Sequence, residues 1–173
     1  MKKAIVFLLS VVMLVSAAGC SGNTAEPTVF SIDDYGLQLT ADSTFREKTG
    51  GSFDLQITNG KAYVSIMAYK YIDLPADTTP LDVYETQNAD LFGKREAVTA
   101  IEADKTQAVS HGTMTYALYS AQRDGVKNYY ATYMMDFPED ETFAWVLITA
   151  TPSYLDANRD SLHSIVCSLA PTE

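Results

Sequence analysis

The chain has 173 residues, of which 47% are hydrophobic and 20% charged. This composition can form a packed core, which excludes a disordered or collagen-like protein, and the length favours one domain. The formal net charge is −10, with 22 acidic and 12 basic residues. We therefore expect no nucleic-acid partner, because binding to phosphates needs clustered cations.

The N-terminal segment, residues 1–19, has the pattern of a secretion signal. Two lysines, Lys2 and Lys3, precede an apolar run, Ala4–Val15, that only Ser10 interrupts. A helix of that length spans roughly 18 Å, whereas the hydrocarbon core of a membrane is roughly 30 Å thick. The run is therefore too short for a permanent span, and no later run approaches the length that a span requires.

Cys20 follows a stretch of small residues. The sequence Ala17-Ala18-Gly19-Cys20 resembles the lipobox of bacterial lipoproteins, which implies that Cys20 becomes the acylated first residue of the mature chain. Lipid would then hold the chain at the extracytoplasmic face of the cell membrane, with residues 20–28 as a flexible polar tether. Ordinary cleavage after Ala18 is the alternative, and it would leave an exposed thiol near the terminus.

The first part of the folded domain, which we place at residues 29–170, reads as strands. Val29–Ile32 and Leu37–Thr40 are predicted to be short strands. Phe53–Thr58 and Lys61–Ile72 flank Asn59-Gly60, a pair that accepts the positive φ angles of a two-residue hairpin turn. Apolar and polar residues alternate along Phe53–Thr58, which indicates a strand with one buried face.

A helix is predicted to begin at Thr79-Pro80-Leu81-Asp82. Threonine can cap the first turn, proline suits the first helical position, and the aspartate can accept from free N–H groups. The helix is expected to end near Gly93. Val98–Ile101 then reads as a further short strand.

The last part of the chain contains long strands and a second helix. Thr113–Gln122 and Val126–Phe137 surround Asp124-Gly125, a second hairpin signal. Thr142–Thr151 carries large apolar residues on both faces, so both faces are predicted to be buried or partly buried. Tyr154–Leu169 has an apolar stripe at helical spacing, which predicts a helix. We expect Cys167, within this stretch, to be buried. The sequence thus predicts an α+β domain with a largely antiparallel sheet flanked by helices.

This order of elements resembles that of the PsbP-like superfamily, which includes the photosystem protein PsbP, the Ran-binding Mog proteins and the bacterial lipoprotein DcrB. The resemblance rests on the opening Tyr35-Gly36-Leu37-Gln38-Leu39, the helix after Thr79-Pro80, and the path through Trp145–Thr149 and Pro152 into Leu162–Leu169. It implies a PsbP-like layered sandwich of helices around an antiparallel sheet. It also implies a non-catalytic role in binding or assembly, since most members act in that way.

Tyrosines are the most distinctive candidates for a binding surface. They occur at same-face positions of predicted strands, and their apolar rings with polar tips suit recognition as well as core packing. Packing between sheet and helices is the alternative interpretation. The residues that we select as the candidate binding surface, for an envelope protein, peptide or glycan, are Tyr63, Tyr69, Tyr71, Tyr129 and Tyr133.

The sequence shows no constellation of catalytic residues. It has two histidines, no Gly-x-Ser-x-Gly elbow and no glycine-rich phosphate loop, so we expect no enzyme and no cofactor. Two alternatives stay open. One is a small extracytoplasmic hydrolase that uses a carboxylate pair assembled in space. The other is a calcium-dependent module built on Asp136 and the turn Glu139–Glu141, although the chain has no sequence motif for a metal site.

Overall fold

The computed structural model describes residues 26–172. The predicted signal (1–19), Cys20 and most of the predicted tether lie outside these residues. The first strand begins at Pro27, so the last two residues of the predicted tether belong to a strand instead. The described elements, in chain order, are β1 (Pro27–Ile32), β2 (Leu37–Asp42), β3 (Arg46–Glu47), β4 (Leu55–Thr58), β5 (Ala62–Lys70), α1 (Pro80–Phe92), β6 (Glu96–Val109), β7 (Gly112–Arg123), β8 (Val126–Phe137), β9 (Thr142–Ala150), α2 (Pro152–Cys167) and β10 (Ala170–Pro171).

Two antiparallel sheets organise these strands. The larger has seven strands in the order β3-β4-β5-β9-β8-β7-β6, and the smaller has the order β1-β2-β10. Every pairing between the described strands is antiparallel. The predicted fold class, an α+β domain with a largely antiparallel sheet flanked by helices, is confirmed.

One face of the large sheet is covered by α2 and the small sheet. Leu162 and Val166 of α2 join Leu39 of β2 and Val146 and Ile148 of β9 in a single cluster of buried residues. Each large side chain buried here stabilises the fold by roughly 1.5–3 kcal/mol. Most of the hydrophobic core therefore lies on this face.

The opposite face carries α1 and a smaller core. Trp145 and Leu147, which alternate with the residues facing α2, pack there with Tyr84 of α1 and with Tyr130 and Met134 of β8. Because β9 is buried on both faces, its near-continuous apolar sequence is what this position requires. The prediction that both faces of this strand are buried is confirmed.

The hairpin at Asp124-Gly125 is confirmed, and the one at Asn59-Gly60 has a longer turn than predicted. Both residues of the former have positive φ, and Arg123 pairs with Val126 across a two-residue turn. At the latter, Thr58 pairs with Tyr63, which leaves four residues in the turn. The Asn59 carboxamide oxygen accepts from the N–H groups of Lys61 at 3.1 Å and Ala62 at 3.0 Å. This Asx-type turn enlarges the loop.

β6 and Cys167 also differ from the prediction, and the two-residue strands β3 and β10 were not predicted. β6 extends well beyond the predicted Val98–Ile101, because it is an edge strand, exposed over most of its length, and lacks the alternation that reveals a half-buried strand. Cys167 is exposed. It follows Ile165 and Val166, which face the core, and the rotation of about 100° per residue in a helix turns it away.

A capping box begins α1, as predicted. The Thr79 hydroxyl accepts from the Asp82 N–H at 3.3 Å, and the Asp82 carboxylate accepts from the Thr79 N–H at 2.7 Å. The Thr79 hydroxyl also donates to the Asp82 carboxylate at 2.6 Å, and this bond, with that from the Thr79 N–H, lowers the pKa of Asp82 below its ordinary value. The reciprocal backbone bonds of the box satisfy N–H groups that would otherwise lack partners, and so they define where α1 starts.

Replacing this cap tests its contribution. We expect Thr79→Ala to reduce the free energy of unfolding by about 1 kcal/mol, measured by urea denaturation, since an N-terminal donor of α1 loses its acceptor. Thr151 is the matched control because it occupies the N-cap of α2 but makes no side-chain capping bond. Equal losses in Thr79→Ala and Thr151→Ala would contradict the assignment.

An ion-pair network links β6 to α2. The Glu102 carboxylate accepts from the Lys105 ammonium at 2.9 Å and is also bound by the Arg159 guanidinium. These cations, Lys105 first, lower the pKa of Glu102 below its ordinary value of 4.5. The network is partly exposed, so its contribution to stability is modest.

This lowered pKa predicts a pH-dependent effect of Glu102→Gln. A carboxylate with a lowered pKa in the folded state stabilises the protein above its unfolded pKa, and that stabilisation disappears as the pH falls through the folded value. We expect the variant to lose about 0.5 kcal/mol at neutral pH, and progressively less as the pH falls below 4.5, by urea denaturation. Glu96→Gln, on the same strand, serves as control because Glu96 makes no ion pair with a described residue. A loss that persists in acid would refute the interpretation.

Candidate functional site

The five selected tyrosines do not share one surface. Tyr129 and Tyr133 pack with the core beneath α2, whereas Tyr69 belongs to the cluster beneath α1. Tyr63 lies on the α1 face too, because it shares the parity of Tyr69 on β5. Tyr71 lies past the end of that strand, in a single 3-10 turn. Alternation along each strand correctly groups Tyr63 with Tyr69 and Tyr129 with Tyr133. Only the tertiary structure shows that the two pairs lie on opposite faces of the sheet.

Tyr133 is a packing residue. Only 3% of it is exposed, and its ring contacts the rings of Tyr116 and His163 at centroid distances of 5.0 Å and 5.8 Å. Burial raises the pKa of its phenol far above the ordinary value. It is therefore not accessible to a partner.

Tyr69 and Tyr71 enclose Phe143 at the end of the sheet. The Tyr69 ring stacks on Phe143 with a centroid distance of 4.9 Å, and the Tyr71 ring is tilted against it at 5.8 Å. The Tyr71 hydroxyl donates to the Asp136 carboxylate. Burial and this carboxylate raise the pKa of Tyr71, so the group stays a hydrogen-bond donor at physiological pH.

The acidic turn provides no assembled cation site. Residues 138–140 form a 3-10 turn, and Glu139, Asp140 and Glu141 are exposed. Within residues 26–172 no three carboxylate, histidine or cysteine side chains come together as metal ligands would. The calcium hypothesis thus receives no geometric support from the described part of the chain.

A cleft on the α1 face is a candidate binding site. It consists of two adjoining cavities of about 510 Å³ and 350 Å³, which share Phe53, Leu91, Arg95 and Arg123 as lining residues. We call this combined site the α1 cleft. Its other lining residues are Lys48, Ser52, Gln56, Tyr63, Ser65, Met67, Gln87, Asp90, Lys94, Asn128, Tyr130, Trp145, Leu147 and Thr149.

The cleft lies where α1 leaves part of its face of the sheet uncovered. α1 packs on β8 and β9 and leaves the neighbouring surface of β5 open. The loop between β3 and β4, which carries Ser52 and Phe53, forms the facing wall.

Hydrogen bonds to strands of the large sheet hold α1 in position beside the cleft. The Trp145 indole N–H donates to the Asn88 carboxamide oxygen at 3.1 Å. The Tyr84 hydroxyl bonds to Asp104 at 2.9 Å and to Thr132 at 3.1 Å. Burial raises the pKa of Tyr84, which keeps it protonated within this network. Both anchors fix the helix face that borders the cleft.

The α1 cleft concentrates positive charge in an acidic protein. Four of its lining residues are cationic and one, Asp90, is anionic, which gives a formal charge of +3 in a chain of net charge −10. The four cations are far apart in sequence, at Lys48, at Lys94 and Arg95, and at Arg123. Of the five selected tyrosines, Tyr63 lines this cleft. Sequence analysis missed its cations, because the mixture of basic and aromatic residues is visible only once the chain is folded.

No buried pair of carboxylates supports a hydrolase. Every aspartate and glutamate within residues 26–172 for which burial is described is at least partly exposed. Asp90 is the one carboxylate that lines the α1 cleft among the described residues. A reaction of the predicted type needs two such groups on either side of a substrate.

Comparison with known proteins reveals the fold. No protein-family model matches the sequence, and no curated protein matches it. Cyanobacterial PsbP from Synechocystis aligns over 91% of this chain and 98% of its own length, with a TM-score of 0.64 at 9% identity. This chain has the PsbP-like fold.

Two further solved structures support the same conclusion. The Ran-binding protein Mog1p of Saccharomyces cerevisiae aligns over 86% of this chain and 97% of its own, with a TM-score of 0.56 and 9% identity. LpqN, involved in cell envelope biogenesis of Mycobacterium tuberculosis, aligns over 88% of both chains, with a TM-score of 0.58 and 13% identity. At such identities the likeness establishes architecture, which confirms the PsbP-like resemblance at the level of fold.

Neither of the described helices, α1 and α2, is long and apolar enough to cross a bilayer.

Proposed function

We propose that this chain is a non-catalytic binding or assembly module of the cell envelope that holds its ligand in the α1 cleft. The observation that carries the proposal is the cleft itself, which combines apolar residues of the sheet, such as Met67, Trp145 and Leu147, with four cationic side chains. Binding sites are typically concave, largely apolar and lined by a few converging polar groups. The described lining has no histidine or cysteine and a single carboxylate, which favours binding over acid–base chemistry.

We further propose that lipid on Cys20 anchors the module at the extracytoplasmic face of the membrane. The basic start, the short apolar run and the lipobox-like sequence before Cys20 support this. The envelope role of LpqN, which has the same fold, is consistent with it. A short polar segment between Cys20 and β1 would keep the domain close to the membrane surface.

The anchor is tested with the full chain produced in a bacterium that processes lipoproteins. We expect the wild-type protein to partition into detergent and to begin at an acylated Cys20, by intact-mass measurement. Cys20→Ser should move the protein to the aqueous phase, because the acceptor sulfur is lost. Cys167→Ser is the matched control and should stay with the detergent. A mature chain that begins at Gly19 without lipid would refute the anchor.

The binding site is tested by filling the cleft from α1. Gln87 lines it, whereas Glu85 on the same helix is exposed and lies outside the lining. We expect native mass spectrometry of the wild-type protein, extracted from membranes, to detect a bound small molecule. Gln87→Trp should remove that molecule because the indole occupies its space, and Glu85→Trp should retain it.

Two results would contradict the proposal. One is the absence of a bound mass in the wild-type protein, and the other is equal retention in both tryptophan variants. The non-catalytic role has its own measurement: the recovered molecule should keep its mass after incubation with fresh protein. A changed mass would indicate turnover.

A further inference from the structure

We infer that the ligand of the α1 cleft is a small soluble organic oxyanion, a carboxylate or phosphate ester attached to an aromatic or branched aliphatic body. This inference rests on the proposed function, since it names the chemical class of the ligand for the same site. Three features of the cleft support it: its unpaired cations, the bonding of Arg95, and the apolar floor.

The cations of the cleft have few anionic partners within the described chain. Lys48, Lys94 and Arg95 form no ion pair with any residue in 26–172, and Arg123 meets only the carboxylate of Asp124, at 3.6 Å. That pair is weak because both side chains are largely exposed. The positive charge of the cleft is thus left available for an anion from solution.

Arg95 is held with one edge of its guanidinium unused. Its Nη1 donates to the Leu91 carbonyl oxygen at the end of α1, and its Cζ lies 4.6 Å from the centroid of the Tyr130 ring. Its Nε is shielded and has no acceptor among the described residues. A buried donor without an acceptor is unfavourable. A guanidinium edge matches the two oxygens of a carboxylate or phosphate, and an anion reaches the shielded Nε once the side chain shifts toward the cleft.

The floor of the cleft fits an apolar body next to that anion. Trp145, Met67 and Phe53 line the larger cavity, and Tyr130 and Leu147 line the smaller one. Arg95 lines both cavities, so an anionic group at Arg95 can carry a body in either. The two volumes lie in the range of small-molecule sites, roughly 300–1,000 Å³.

Trp145 provides an internal signal for the test. It is the single tryptophan of the chain, and it lines the larger cavity. The emission of the full-length protein in detergent can therefore be titrated with hydrocinnamate, phenyl phosphate and the neutral hydrocinnamyl alcohol. We expect both anions to bind at least about tenfold more tightly than the alcohol, with a preference that decreases as salt is added.

Variants of the cations assign the anion contact. Arg95→Gln should weaken hydrocinnamate about tenfold and the alcohol much less, and Arg95→Lys should fall between wild type and Arg95→Gln, because an ammonium keeps the charge but not the fork. Arg95 also binds the end of α1, so Arg123→Gln tests the charge without touching that contact and should weaken the anion about threefold. Lys61→Gln removes an exposed cation outside the cleft and should change nothing.

Several outcomes would overturn the inference. These are equal affinity for the alcohol and the anions, unchanged affinity in both Arg95→Gln and Arg123→Gln, or no response to either anion. A response to phosphatidylglycerol vesicles alone would show that the anion is a lipid headgroup and not a soluble molecule. None of these results removes the cleft as a binding site, which the Gln87→Trp comparison decides separately.

Discussion

The structure depends on the burial of the β8–β9 strand pair on both faces. Val146 and Ile148 face α2, while Trp145 and Leu147 face α1. A sheet whose centre is apolar on both sides must be covered on both sides, so each helix has a defined layer. The larger core beneath α2 and the small sheet contains most of the buried apolar residues, whereas α1 covers only part of the opposite face.

That incomplete cover creates the site. α1 ends at Phe92 with Gly93 as its C-cap, so Lys94 and Arg95 follow directly and line the cleft. The Arg95 guanidinium bonds to the last turn of α1 and rests on Tyr130, so one residue completes the helix and borders the cleft. Arg95 therefore contributes both to the fold and to the candidate site, and a variant that disturbs the end of α1 affects both.

Local signals in the sequence were reliable where the chain itself supplies the hydrogen bonds. The capping box at Thr79 and Asp82 and the turn at Asp124-Gly125 are satisfied within a few residues, so they persist in the fold. β6 was largely missed because an exposed edge strand is paired on one side and needs no apolar alternation. The Asn59 turn was lengthened by a side-chain acceptor that competes with the backbone.

The sequence by itself determined the class of fold, the order of the two helices and most of the longer strands, and the two-sided burial of β9, because periodicity and capping act over short distances along the chain. The tertiary structure alone decided which surface is concave and what charge it carries. Lys48, Arg95 and Arg123 come from separate segments, and only the strand order and the packing of α1 on the sheet bring them together. The selected tyrosines were divided between opposite faces for the same reason, since parity determines a side within one strand but not which layer covers that side.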